Sequence, residues 1–217
     1  MQKIIYPHKN CTDEFKHILH NIEDYINQGG ILKNDISTTI VKSQNIIIKR
    51  FNYKNFWSSL IHIFQPSRAA RCWENAHRLL SLNIKTPKPL AVIEKKFWCL
   101  HNTTYYLMEY IEGTPLDAYF AASHDQKEES YYAKKIIEIF ALLKKQHIRH
   151  RDVKADNFFI VGENIFLLDL DNMKKLSRIK YFLTRAWMKD KKRFIKNWNE
   201  NPKTQKLFAN LFEQEEK

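Results

Sequence analysis

Glycine is scarce in this sequence: four occur in 217 residues, at positions 29, 30, 113 and 162. That scarcity excludes Gly-rich linkers and collagen-like repeats. Three cysteines, Cys11, Cys72 and Cys99, stand far apart and form no CxxC pair. Neither a zinc site nor a disulfide framework is indicated, and a reducing cytosol is the expected compartment. No apolar run reaches the roughly 18 residues that a membrane-crossing helix needs. The opening MQKIIYPHKN lacks a charged segment followed by an apolar run, so no signal peptide is expected. No internal repeat is visible. What is abundant points to a folded globule: 44% hydrophobic and 13% aromatic residues argue against disorder. The length suits one domain, or one domain of two lobes.

Charge of one sign is in excess. The formal net charge is +12, and it is unevenly spread. Between Lys174 and Lys196 ten Lys or Arg face a single acid, Asp190, so that segment carries +9. Such a surface seeks an anionic partner: membrane headgroups, a phosphorylated substrate or nucleic acid. No nucleic-acid-binding motif accompanies the charge, which makes that partner the least expected.

Periodicity gives the organisation. Phe15, Ile18, Ile22, Tyr25 and Ile26 fall at helical spacing between Thr12 and Asn27, with Gly29 and Gly30 as a stop. ILKND, TTIVKS and NIIIKRFN read as strands. Ser67 is a candidate N-cap for a helix whose apolar stripe reads Ala69, Trp73, Ala76 and Leu80, with Glu74 one step off it. LAVIE and FWCL suggest strands around a turn at Lys95 and Lys96, and YYLMEYIEGTPL a strand running into a turn. Ala133, Ile136, Ile137, Phe140 and Leu143 form one face of a helix over Glu128 to Gln146. FFIV and IFLLDL flank Gly162-Glu163-Asn164 as a hairpin. The C-terminal part, 174–217, is expected to be helical, packing Ile179, Phe182, Ala186 and Trp187 inward. Its basic rim, Lys189, Lys191, Lys192 and Arg193, is expected to meet an anionic surface.

Between the long helix and the hairpin stands HRDVKADNFFI, His150 to Ile160. A charged turn before a strand is common, so the rest of the chain must supply what phosphoryl transfer requires: a cation on the phosphates, a carboxylate to hold it, metal ligands, and a base at the acceptor hydroxyl. Asp152 is the candidate base, and Lys154 could reach the transferring phosphate. Asn157 and Asp169 offer two oxygen ligands, which suit octahedral Mg2+. Lys49 ends an apolar strand, as the phosphate-contacting Lys of VAIK-type strands does. Alone it would be a surface Lys, and Glu74 merely a helix Glu. LMEYIEG is a candidate adenine-contacting segment, with Met108 as gatekeeper and Glu109 and Ile111 offering a carbonyl and an amide. Lys, Glu, Asp, Asn and Asp in this order, each on its proper element, make coincidence a poor explanation. ATP and Mg2+ are the expected cofactors.

In these residues the sequence resembles the bacterial lipopolysaccharide core kinases, the Kdo/heptose kinase family, and more broadly the protein-kinase-like fold. The resemblance rests on IIIKRFN, on SRAARCWENAHRLLSLNIKTPKPLAVIE, and on HRDVKADNFFI with LLDLDNMKK, together spanning roughly Ile31 to Lys175. It implies an α+β, two-lobed fold, with a small β-rich N-lobe (about 1–111) and a reduced, mainly helical C-lobe (about 112–217). It implies a cytoplasmic enzyme, peripheral at the inner face of the inner membrane, that phosphorylates a sugar hydroxyl of nascent lipopolysaccharide. Two departures bear on the substrate. No glycine lies between Gly30 and Gly113, so Ser37, Thr38 or Thr39 must cover the phosphates. The loop reads His-Arg-Asp, as in Ser/Thr protein kinases, where sugar kinases have His-Gly-Asp. Against a protein acceptor, only 48 residues follow Asp169, there is no Ala-Pro-Glu, and Asp171 replaces the Gly of Asp-Phe-Gly. A small Ser/Thr protein kinase and a non-catalytic pseudokinase or anionic-surface binding module remain the alternatives.

Overall fold

The computed structural model describes residues 2–5, 13–52, 65–97, 100–122, 125–176 and 180–216. Cys11, Cys99 and Ile179 lie outside them, as does the side chain of Phe182. The chain divides into two compact units: one comprises 1–81 with 87–111, the other 82–86 with 112–217.

The first unit is a six-stranded sheet in the order β1-β5-β6-β4-β3-β2, with antiparallel pairing throughout. Its strands are β1 (Gln2–Ile5), β2 (Gly30–Asp35), β3 (Thr38–Ser43), β4 (Ile46–Asn52), β5 (Pro89–Phe97) and β6 (Leu100–Glu109). Lys95 and Lys96, expected in a turn, belong to β5 and mark a register shift there.

Because side chains alternate across a strand, β4 sends Ile48 and Arg50 to one face and Lys49 and Phe51 to the other. Helices α1 (Asp13–His20) and α2 (Ile22–Gln28) cover the Ile48 face, burying Ile18, Leu19, Ile22 and Ile26 against Val41, Ile93 and Leu107. One helix was expected over this stretch; it is broken at Asn21, whose side-chain amide donates to the His17 carbonyl (3.1 Å) and competes with the helical ladder. Glu23 of α2 ties this layer to the sheet through Arg50 (3.3 Å), Lys95 (3.1 Å) and the Tyr105 hydroxyl.

Helix α3 (Arg68–Ser81) lies on the Lys49 face. Ser67 caps it, its hydroxyl accepting from the Ala70 N–H at 3.0 Å. The buried stripe is Ala69, Cys72, Asn75, Ala76 and Leu79; Trp73 and Leu80, read as inward-facing, are half-buried. Ridge packing has turned the helix by about one residue from the all-apolar stripe, because small Ala69, Cys72 and Ala76 let it approach the sheet closely.

The second unit carries β7 (Thr114–Pro115), α4 (Leu116–Ala121), α5 (Gln126–Lys145), β8 (Ile148–Arg149), β9 (Phe158–Val161), β10 (Asn164–Leu167), β11 (Lys174–Lys175), α6 (Lys180–Lys196) and α7 (Pro202–Glu215). The hairpin β9–β10 turns at Gly162, whose positive φ (55°) is the conformation such a turn requires. Gly113 is needed for another reason: a Cβ there would come within 2.7 Å of the Ile160 carbonyl. Helix α5 buries the expected face, Ala133, Ile136, Ile137, Phe140 and Leu143. An aromatic core joins α4 to α7: Phe120, Phe140, Phe158, Phe194, Trp198, Phe208 and Phe212 meet ring to ring. Each fully buried ring contributes on the order of 2–3 kcal/mol. Asn201 caps α7, accepting from the Thr204 N–H at 3.1 Å, with Pro202 in the first turn.

Candidate active site

The loop after α5 is held by hydrogen bonds that the sequence motif makes with itself. His150 is buried, and its Nε2 lies 2.9 Å from the Leu168 carbonyl. The Asn157 side-chain amide donates to the Asp152 carbonyl at 2.8 Å, and the Leu168 N–H donates to the Asn157 carbonyl at 2.8 Å. Loop 150–157 and the segment entering Asp169 are therefore one hydrogen-bonded piece. Thr86 strengthens it: its hydroxyl donates to the Leu167 carbonyl (2.7 Å), while the Leu167 N–H donates to the Lys85 carbonyl (2.9 Å). Two residues are strained. Arg151 (φ 70°) and Asp169 (φ 56°) both occupy the left-handed region without being glycine, a cost that persists where surrounding structure imposes it.

Oxygen donors suited to Mg2+ are present. The Asn157 amide nitrogen is engaged with the loop, which leaves its oxygen side for a ligand. Asp169 precedes the turn Leu170–Asn172. Asp156 adds to the negative field: burial, and then the carboxylates of Asp117, Asp152 and Asp169, push its proton affinity up against the opposing Lys154. Among the described residues no group of three or more His, Cys, Asp or Glu forms a metal cage. A two-oxygen donor set completed by nucleotide phosphates is how Mg2+ is usually held, so the residues fit that ion.

In the first unit, Lys49 is 7% exposed, its ammonium 5.3 Å from the centre of the Phe51 ring, and the Arg68 guanidinium takes the same ring at 4.5 Å. Glu74 is exposed on α3 and makes no ion pair among the described residues; the side of the helix turned to the sheet carries Cys72. Glu94, by contrast, is 5% exposed. The register Lys49–Tyr106–Val92 and Phe51–Thr104–Glu94 puts it on the same face of the sheet as Lys49. Met108 packs on that face as well. At the end of β6 the Glu109 N–H and carboxylate are both spent on Lys88, at 3.0 and 2.8 Å. The Ile111 N–H has no partner among the described residues. In the β2–β3 turn Thr38 is buried and the Thr39 hydroxyl donates to Asn34 (3.1 Å), which leaves Ser37 nearest the tip.

Residues 38–213 match the model of the lipopolysaccharide kinase (Kdo/WaaP) family. This chain belongs to that family. No curated protein matches it in sequence. Among solved structures it is similar to WaaP in complex with acyl carrier protein, at 12% identity and a TM-score of 0.60, covering 99% of this chain and 98% of that one. It is also similar to WbdD bound to the kinase inhibitor LY294002 (17% identity, TM-score 0.50, 84% of this chain), of which it spans only 44%. The fold is protein-kinase-like, and the protein is a kinase.

Two residues of this lipopolysaccharide-family kinase, Asp190 and Arg193, take a role at the loop that the sequence did not indicate. Asp190 on α6 is 5% exposed and holds the loop from below: Oδ1 accepts from Arg149 Nε (2.8 Å) and Oδ2 from the Arg151 N–H (3.2 Å). Arg193, one turn on, donates to the Arg151 carbonyl (3.0 Å) and to Asp152 Oδ1 (2.7 Å). The basic segment thus contains the scaffold of the loop. Among the described residues its buried positions are Asp190, Lys191 and Phe194, with Trp198 just past the helix, and Ala186 and Trp187, expected to be the packed face, are only half-buried. Lys191 and Arg193, expected on the free rim, are engaged, Lys191 with Glu216 at 2.9 Å.

Burial lowers the pKa of His150, outweighing the Leu168 hydrogen bond and nearby carboxylates. Below its ordinary value of about 6.5 the unfolded chain takes up a proton that the folded state resists. Its contribution is therefore intact above that pH and lost as pH falls from there toward the folded value. Thermal melts from pH 7.5 to 5.0 should show wild-type stability falling more steeply than that of His150→Gln. Parallel curves would contradict the assignment.

Proposed function

We propose that this kinase transfers the γ-phosphate of ATP to a hydroxyl of a lipopolysaccharide core sugar, Kdo or heptose. Asp152 takes the proton of the acceptor hydroxyl as its oxygen bonds to phosphorus and the bond to the leaving phosphate breaks. Lys154, exposed two residues on, steadies the transferring group. Asn157 and Asp169 hold Mg2+, which when bound neutralises phosphate charge. Lys49 reaches the phosphates, with the Glu109 carbonyl and the Ile111 amide at the adenine. What carries the reading is the hydrogen-bonded unit of His150, Asp152, Asn157 and Leu168 within a chain of this family. Labelled ATP offered with truncated lipopolysaccharide cores and generic protein substrates tests it. Label should enter the core; label in protein would support a Ser/Thr kinase, and none anywhere a pseudokinase.

Lys49 needs a carboxylate to hold it. Glu74 is the expected one, yet the buried charge on the same sheet face is Glu94, and buried charges are held by partners. Comparing Glu74→Gln with Glu94→Gln separates them: the true partner's variant should raise the KM for ATP on the order of 10-fold, the other leaving it within about two-fold.

The same reading places the protein at the inner face of the inner membrane. No helix among the described residues is long and apolar enough to cross a membrane, so contact would be peripheral. Arg185, Lys189, Lys192 and Lys196 are all exposed and recur at i, i+4, i+7 and i+11, one stripe along α6. Each base near an anionic bilayer contributes on the order of 1 kcal/mol. Reversing Lys189, Lys192 and Lys196 to Glu should cut co-sedimentation with phosphatidylglycerol vesicles on the order of 100-fold, and rising salt should do the same to wild type. Unchanged pelleting would leave the stripe as a solvated face.

A further inference from the structure

We infer that Arg193 is the residue that reads the acceptor, binding a carboxylate on the sugar whose hydroxyl faces Asp152. The inference rests on the proposed phosphoryl transfer and narrows its acceptor to a sugar acid. A guanidinium carries five N–H donors. Arg193 spends one on the Arg151 carbonyl and one on Asp152 Oδ1, and its side chain remains 50% exposed. Three N–H donors remain unspent, and a guanidinium is the side chain whose donors best match a carboxylate.

Stability alone gives little reason for this pair: its Arg193 half is exposed, and ion pairs open to solvent contribute between zero and about 1 kcal/mol. Position gives a better one. Asp190 and Arg193 on α6 and Asn197 just past its end lie three and four residues apart, and all three bond the loop: Asp190 at the Arg151 N–H, Arg193 at the Arg151 carbonyl and Asp152, Asn197 at the Val153 carbonyl (3.1 Å). Of these only Arg193 also presents charge to solvent beside the aspartate; Asp190 is buried and the Asn197 amide is neutral.

An ionised Asp152 repels any acceptor that carries its own carboxylate near the reacting hydroxyl. A cation fixed on one oxygen of that aspartate cancels the repulsion and leaves Oδ2 to take the proton. For a neutral sugar the same cation has no second partner. Arg193 therefore separates acid from neutral acceptors through binding and orientation, without touching the nucleotide.

The test uses the full chain and two acceptors, Kdo-lipid A and the same molecule with the Kdo carboxylate as its methyl ester. Wild type should favour the acid. Arg193→Gln should lose on the order of 30-fold in kcat/KM on the acid, mostly through the acceptor KM, with the KM for ATP within about two-fold. The acid-to-ester ratio should fall toward one, and Arg193→Lys should recover part of it. Equal loss on both acceptors would reduce Arg193 to a support for Asp152 and overturn the inference, as would full activity of Arg193→Gln. Wild type inactive on both would sink the acceptor reading itself, and the inference with it.

Discussion

Asp152→Asn is expected to lower turnover by roughly 100-fold or more while nucleotide affinity and melting temperature stay near wild type. The amide cannot take the acceptor's proton, but it keeps the size of the carboxylate, and its backbone carbonyl still accepts from Asn157. Asp169→Asn should be as inactive for a different reason. Asparagine at 169 tolerates the left-handed backbone that Asp169 adopts (φ 56°), so the fold should survive. On the proposed reading, what is lost is an anionic metal ligand. Titration of nucleotide with and without Mg2+ should therefore separate the two: Mg2+ should tighten binding to Asp152→Asn and hardly affect Asp169→Asn. Wild-type turnover in both would return HRDVKADN to a solvated turn.

Asp190→Ala should have the largest effect on stability among single polar changes in the second unit. It leaves Arg149 without its carboxylate and the Arg151 N–H without its acceptor, at a site where Asp190 is 5% exposed. Removing one member of a buried pair costs about 3 kcal/mol or more. Arg149 keeps partial solvent access, so the lower end of that range applies. Activity should fall further than stability accounts for, because the strained Arg151 peptide that aims Asp152 loses a support. Asp190→Asn retains one acceptor and should lie between wild type and alanine. Chemical denaturation with turnover measured on the still-folded fraction distinguishes these effects; an unchanged midpoint for Asp190→Ala would contradict the scaffold role of α6.

The candidate loop was legible because its residues act through fixed short spacings: His150, Asp152 and Asn157 bond to one another or to Leu168 within a single hairpin and turn. Strands β2 to β4 were legible from their apolar runs. Asp190 was not, since a lone acid among ten bases reads as part of a solvated helix, and its partners are some forty residues away. The buried face of α3 lies one step from its apolar stripe because Cys72 and Asn75, neither of which stands out as a packing residue in the sequence, are both buried. That step matters, for it decides whether Glu74 faces the sheet. Glu94 gave no signal at all. A strand acid beside two lysines looks like an exposed turn, and only pairing with β6 puts it on the Lys49 face. The same holds for β1, whose pairing with β5 joins segments some ninety residues apart.

The most direct test of the central claim is mass analysis of Kdo-lipid A after incubation with the full-length protein, ATP and Mg2+, beside Asp152→Asn and Asp169→Asn. One added phosphate, localised by fragmentation to the core sugar and absent with either variant, is the expected result. A product formed equally by wild type and both variants, or phosphate found only on protein, would contradict it.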